Sequence, residues 1–246
     1  VTKDYKKGRG IFNISLKIPK GCCFGICGTN GAGKTTSIRH IMGFIKPDKG
    51  EVLVNNLNAW ENAKEIKSMV SYVPGEINFP IRESGSSFLK NNAVMHGITS
   101  MEEAERLINL LQLDPTQNLK RMSKGMKQKT AIVSALMQNH DILILDEPTT
   151  GLDPLMRQIF KKMILEQKAL GKTILMSAHM FDELGEVCDV VAFIKDGHLL
   201  DAVDMNQINN RPFREYYIKY STIDDYKNAK INTAKIISKD DNDLSI

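Results

Sequence analysis

The sequence predicts an α/β fold: a mostly parallel sheet with an inserted helical subdomain. Three observations predict it. Short apolar runs at residues 22–27, 70–73 and 142–145 alternate with helical patterns, the rhythm of strands covered by helices on both faces. A glycine-rich stretch at residues 28–35 joins the first of these runs directly to a helical one. Between residues 77 and 120 the rhythm stops, and that block reads as helices with no convincing strand.

In chain order, the run 22–27 is a strand and Thr36 to Met42 reads as a helix. Pro47-Asp48-Lys49-Gly50 is a turn leading into a strand over 51–54, then a short helix near 61–67. Strand 70–73 is ended by Pro74-Gly75. In the middle block, Ser100 and Glu103 have capping-box spacing, each placed to satisfy the other's free amide. Ala104, Leu107, Ile108 and Leu111 then share one helix face. Asp114-Pro115 reads as another helix start. A helix from about 125 to 138 precedes the buried strand 142–145. Asp153 and Pro154 open a helix that Gly171 stops. Strands follow at 173–177 and 190–194. Past Leu200 the chain turns polar, with one aromatic strand candidate at 216–220.

Composition sets outer bounds. The 246 residues, 42% hydrophobic and 25% charged, are ordinary for one large globular domain or one with an insert. The net charge of +4 comes from lysines scattered among acids, so no clustered basic face for nucleic acid is expected. The four cysteines show no C-x-x-C spacing and three lie in or beside an apolar strand. They read as buried reduced thiols, which favours the cytosol. No apolar run approaches the ~18–20 residues of a membrane span, and no signal peptide is visible.

The stretch Gly28-Thr29-Asn30-Gly31-Ala32-Gly33-Lys34-Thr35 fits G-x-x-x-x-G-K-[ST]. Its glycines let the backbone curl so that successive N–H groups face one concavity that suits a phosphate. Lys34 is placed to put a point charge on β- and γ-phosphate oxygens, and the Thr35 hydroxyl to ligate Mg²⁺. Asp146-Glu147 ends an apolar strand, at the edge where open α/β sheets bind ligands. Asp146 is placed to hold Mg²⁺ and Glu147 to orient and deprotonate a water, a role worth ~10²–10⁴-fold. His179 follows a strand at the same edge, placed either to donate to a γ-phosphate or to stand as a plain surface histidine. Ser123 opens a helix in Ser123-Lys124-Gly125-Met126, as a cap alone or as part of an anion site. Tyr5 either stacks on a purine or simply packs.

Taken in order, these segments resemble the nucleotide-binding domain of ABC (ATP-binding cassette) transporters, from Tyr5 to about Leu200. Residues 29–36 look like Walker A and 142–149 like Walker B with its glutamate. Gly151-Leu152-Asp153 is similar to the D-loop and Ser177-Ala178-His179 to the switch histidine. Tyr5 matches the adenine-stacking aromatic, and Met122-Ser123-Lys124-Gly125-Met126 a variant signature. Two departures stand out: Lys124 and Met126 replace a glycine and a glutamine of LSGGQ, and Gly75, followed by Glu76, takes the Q-loop glutamine position. Both variants resemble the ABC-2-type exporters that include bacitracin- and daunorubicin-resistance ATPases.

The resemblance implies a P-loop NTPase (RecA-like) core over 1–74 and 127–203 with a small antiparallel β part, a helical subdomain over 75–126 carrying the signature at its end and a C-terminal extension over 204–246. It implies an ATPase using ATP and Mg²⁺, with Glu147, His179 and Lys34 catalytic and Thr35 and Asp146 on the metal. Tyr5, Asn30, Gly31, Ala32, Gly33, Lys34, Thr35, Thr36, Ser123 and Gly125 would bind the nucleotide. Two such domains, identical or paralogous, would pair head to tail around two ATP molecules and drive a separate polytopic membrane subunit, in the direction of export. The chain would be cytoplasmic and peripheral on the inner face of the membrane, with no nucleic-acid partner. The alternative is a soluble ABC ATPase acting on ribosomes or DNA. A P-loop kinase is disfavoured because Glu147 beside Asp146 suits activation of water.

Overall fold

A run of apolar residues long enough for one strand, then enough polar spacing for a helix, recurs along the chain, and the computed structural model follows that rhythm over the residues it describes, 1–80 and 82–209. The elements are β1 (Lys3–Asp4), β2 (Gly10–Ile11), β3 (Cys23–Cys27), α1 (Lys34–Ile41), β4 (Leu53–Val54), β5 (Leu57–Asn58), α2 (Ala63–Met69) and β6 (Val70–Val73). After them come α3 (Gly85–Met95), α4 (Glu102–Leu110), α5 (Lys124–Leu136), β7 (Ile142–Leu145), α6 (Pro154–Ala169), β8 (Thr173–Ala178), α7 (Asp182–Gly185), β9 (Val190–Lys195), β10 (His198–Asp204) and α8 (Met205–Asn209). Among the described residues the central sheet has the order β10-β9-β3-β8-β7-β6, parallel except for the β10–β9 pair. Two small antiparallel pairs, β1–β2 and β4–β5, stand apart from it.

Period-two alternation explains why the central strands read as unbroken apolar runs. Leu143 and Leu145 of β7, Ile174 and Met176 of β8, and Cys23 and Cys27 of β3 face one buried cluster, shared with α3 to α6. Ile144, Leu175, Phe24 and Ile26 face the other, shared with α1 and α2. Each strand is therefore apolar on both faces, as a sheet between two helical layers requires. Helices α3 and α4 lie in the chain between β6 and β7, which pair directly, so they are an insertion in the sheet's connectivity. Their apolar face, including Leu89, Ala93, Ala104, Leu107 and Leu111, packs into the cluster with α5.

Two expected helix starts take other forms. The capping box at Ser100 and Glu103 does not close: Ser100 Oγ accepts from the Glu102 amide at 3.3 Å, while Glu103 is drawn to Arg106 by two contacts of 2.8 Å. A neutral amide competes poorly with a guanidinium for a carboxylate. At Asp114-Pro115 the Asp114 side chain accepts from the Thr116 amide (3.0 Å) and hydroxyl (2.6 Å), an Asx turn rather than a cap. The Ser86 amide and hydroxyl donate to the Pro115 carbonyl, tying that turn to the start of α3. Strand β10 was not anticipated, and the aromatic candidate at 216–220 lies outside the described residues.

Candidate functional site

Strand β3 delivers the chain to residues 28–33, and α1 begins at Lys34. Gly33 has φ 110°, and a β-carbon there would come within 2.7 Å of the Ile11 side chain, so the loop closes only with glycine at this point. The loop residues Asn30, Gly31, Gly33, Lys34, Thr35 and Thr36 line a cavity of about 400 Å³. Tyr72, Gly75, Glu76 and Glu147 line it too. The Ala32 methyl turns into the core, leaving that residue only its backbone to offer.

The charged groups at this edge bind one another. Lys34 is buried, its ammonium donating to the Gly28 carbonyl (2.7 Å) and the Thr29 carbonyl (3.1 Å). The same nitrogen lies 3.2 Å from Glu147 Oε1 and 3.1 Å from His179 Nδ1. An ammonium has only hydrogens to give, so Nδ1 accepts. Nε2 then carries the ring hydrogen and donates to Glu147 Oε2 at 2.6 Å.

Asp146 ends β7 with no exposed surface. Its Oδ1 accepts from the Ser177 hydroxyl at 2.6 Å, and the same hydroxyl accepts from the Glu147 amide at 2.9 Å. Asp146 Oδ2 has no hydrogen-bond partner. Burial pushes this carboxyl above the usual carboxylate range, against the weaker pull of the Ser177 and Thr35 hydroxyls. A buried carboxylate with a bare oxygen, beside a threonine hydroxyl, is a donor set that fits a small hard divalent cation.

The structure thus brings Lys34, Thr35, Asp146, Glu147 and His179 together. Tyr5, half exposed in the turn between β1 and β2, does not line the cavity, nor do Ser123 and Gly125. Ser123 caps α5, its hydroxyl accepting from the Met126 amide at 3.2 Å. Ser177 was not singled out from the sequence as a site residue. Its signal was a hydroxyl following the apolar run 174–176, two residues before His179. Gln128, buried with its amide donating to the Pro148 carbonyl at 2.9 Å, likewise steadies the loop that follows Glu147.

A parallel sheet with a glycine-rich loop at a helix start, a buried lysine and a strand-end carboxylate pair defines a nucleotide-hydrolysing P-loop domain. The comparisons carry this to a family. The family model described as "ABC transporter" matches residues 11–150. The bacitracin transport ATP-binding protein BcrA of Bacillus licheniformis is 30% identical over 226 residues, covering 89% of this chain and 73% of that protein. A solved ATP-binding subunit of an ABC transporter superposes with a TM-score of 0.75 at 27% identity, covering 85% of this chain and 89% of the other. A dimeric ATP-binding cassette in a post-hydrolysis state with ADP and Pi shares the fold, with a TM-score of 0.71 at 24% identity over 83% of this chain and 96% of that one.

The chain belongs to the ABC transporter family. It is an ATP-binding, ATP-hydrolysing subunit of an ABC transporter, and a role on ribosomes or DNA is not favoured.

Proposed function

We propose that the chain is one of two cassettes that close head to tail on two Mg²⁺-ATP and drive a separate polytopic membrane subunit, with export as the direction. One observation carries the pairing. Ser123 and Gly125 open α5, whose first turn holds Lys124 and Lys127 and no acid, yet neither residue lines the phosphate-loop cavity. Cations at the positive end of a helix dipole cost roughly 0.3–1 kcal/mol each until an anion arrives. The triphosphate on a facing copy is such an anion, and Tyr5 would stack on the adenine within the same copy. BcrA, by its name a bacitracin transport protein, supports the transport reading. Residues 75–126 would transmit closure to a membrane partner on the cytoplasmic face, and 1–74 with 127–203 would form the catalytic core.

In this reading triphosphate oxygens draw Lys34 off the Gly28 and Thr29 carbonyls, which frees Glu147 Oε1. Glu147 takes a proton from a water whose oxygen bonds to the terminal phosphorus as the bridging bond to ADP breaks. His179 Nε2–H, released from Glu147, donates to a γ-phosphate oxygen, and the loop amides hold the β-phosphate. Thr35 and Asp146 would hold Mg²⁺, which when bound neutralises charge on the β- and γ-oxygens.

Glu147→Gln tests the base. Turnover should fall ~10²–10⁴-fold, with ATP affinity kept and an ATP-bound dimer persisting in sedimentation. Hydrolysis at the wild-type rate in that variant removes Glu147 from the role.

A further inference from the structure

We propose that Glu76 is a ligand of the divalent cation that accompanies the triphosphate, acting with Asp146 across a gap that Gly75 keeps open. The proposal rests on the assignment of Asp146 to the cation made above.

Three observations meet at this point of the cavity. The first concerns Gly75. It is not among the residues with positive φ, so its backbone does not demand glycine. A β-carbon there would lie 3.1 Å from Asp146 Oδ2 and 3.2 Å from Asp146 Cγ. What the missing side chain preserves is space in front of a buried oxygen that has no partner. Filling that space would crowd and dehydrate the one lone pair the site leaves free on this carboxylate.

The second observation is placement. The Asp146 amide donates to the Val73 carbonyl at 2.9 Å, extending the β6–β7 ladder by one residue. The backbone two residues past β6 is thereby pinned beside the Asp146 carboxylate. Glu76 comes directly after Gly75 and lines the same cavity as Lys34, Thr35 and Thr36.

The third is charge. Lys34 and Arg39 are the cationic side chains in the cavity lining, and Glu147 and Glu76 the anionic ones, with Asp146 behind Gly75. Glu147 is compensated by Lys34 and His179. Glu76 has no ion-pair partner among the described residues. Glu76 is exposed to solvent, and a bare carboxylate in the wall of a polyanion site repels the incoming phosphates. Positive charge brought between carboxylate and phosphate reverses the sign. A hard divalent ion does so, because carboxylates beside substrate phosphates are its preferred partners.

The competing assignment is a surface pair between Glu76 and Arg39, and the two differ in what they do to a metal. The test uses the full-length chain with Mn²⁺ as the cation and a non-hydrolysable ATP analogue. Bound Mn²⁺ is followed by electron paramagnetic resonance in wild type, Glu76→Gln and Asp146→Asn, with analogue binding in EDTA measured beside it. Glu76→Gln should weaken Mn²⁺ affinity about tenfold and leave metal-free analogue binding unchanged. If Asp146→Asn weakens Mn²⁺ and Glu76→Gln does not, Glu76 is no ligand and the Arg39 pairing takes its place. If neither variant changes Mn²⁺ affinity, the assignment of Asp146 falls as well. A loss of equal size in EDTA marks a structural effect and overturns the proposal too.

Discussion

Glu147 occupies left-handed backbone, φ 49°, where non-glycine residues are uncommon. The Ser177 hydroxyl holds it there by accepting from its amide while donating to Asp146. One hydroxyl thus fixes both carboxylates, and the strain sits where the chemistry is. A second buried group carries a pH dependence. His40, on the helix behind the phosphate loop, is buried with Nδ1 at 2.7 Å from the Thr36 carbonyl and Nε2 without a partner. Burial holds its pKa below the ordinary 6.5, with Lys3 and the N-terminal amine adding to that and the Thr36 carbonyl and Asp48 opposing it. The folded state therefore resists a proton that the unfolded chain accepts. The stability from neutral His40 is full above pH 6.5 and is lost as pH falls through the depressed folded value. Stability, and with it the melting temperature, should fall as pH drops from 6.5 toward that folded value, by at most about 1.4 kcal/mol per pH unit for one proton. His40→Leu should flatten the slope. It will not abolish it, because burial depresses His140 in the same direction. An unchanged acid limb in His40→Leu would clear His40 of the effect.

Among the elements, α6 was the most legible in the sequence. Asp153 accepts from the Met156 amide at 2.9 Å, Pro154 follows at the first position, and the helix closes before Gly171. Asp153→Ala should cost ~0.5–2 kcal/mol, or about 2–4 °C of melting temperature per kcal/mol in a chain of this size. Asp153→Asn should restore it, and a nucleotide-free melt of Asp153→Ala equal to wild type would show the cap to be idle. Strands β3, β6, β7, β8 and β9 were equally plain, because burial on both faces leaves few polar positions to blur the run. The failures among strands have a common cause. Strand β10 is mostly exposed at a sheet edge, with Leu199, Val203 and Asp204 half-buried, and β1, β2 and β5 are two residues each, while the strand expected over 51–54 shrinks to β4. Such strands exist only through a partner that local sequence does not display. The capping box at Ser100 failed for a different reason: Arg106, one helical turn on and itself in contact with Glu166, draws the Glu103 carboxylate away from the cap. In the site, the motif residues were readable from spacing. The space at Gly75 and the Ser177 clamp were not, because both depend on β6, β7 and β8 lying side by side.

At the scale of the molecule, the sheet order sets β8 between β3, which carries the phosphate loop, and β7, which carries the carboxylate pair. A cassette built this way presents Lys34 and Glu147 from one rim and Ser123 from a helix start outside the cavity. If a second copy completes the site, Ser123→Arg should abolish ATP-dependent dimers in sedimentation and lower turnover at least about tenfold, with ATP affinity of the monomer unchanged. Dimers that persist would refute the facing-copy reading of α5. The position of β8 also bears on how this chain fails. Ser177 lies within β8 and His179 one residue past its end, so the register of β8 sets the position of both. A slip of one residue against either neighbour would turn Ser177 to the opposite face and shift His179 along the rim. A misregistered molecule would then lose the hydroxyl that ties Asp146 to the Glu147 amide and the histidine contact to Glu147 in one step.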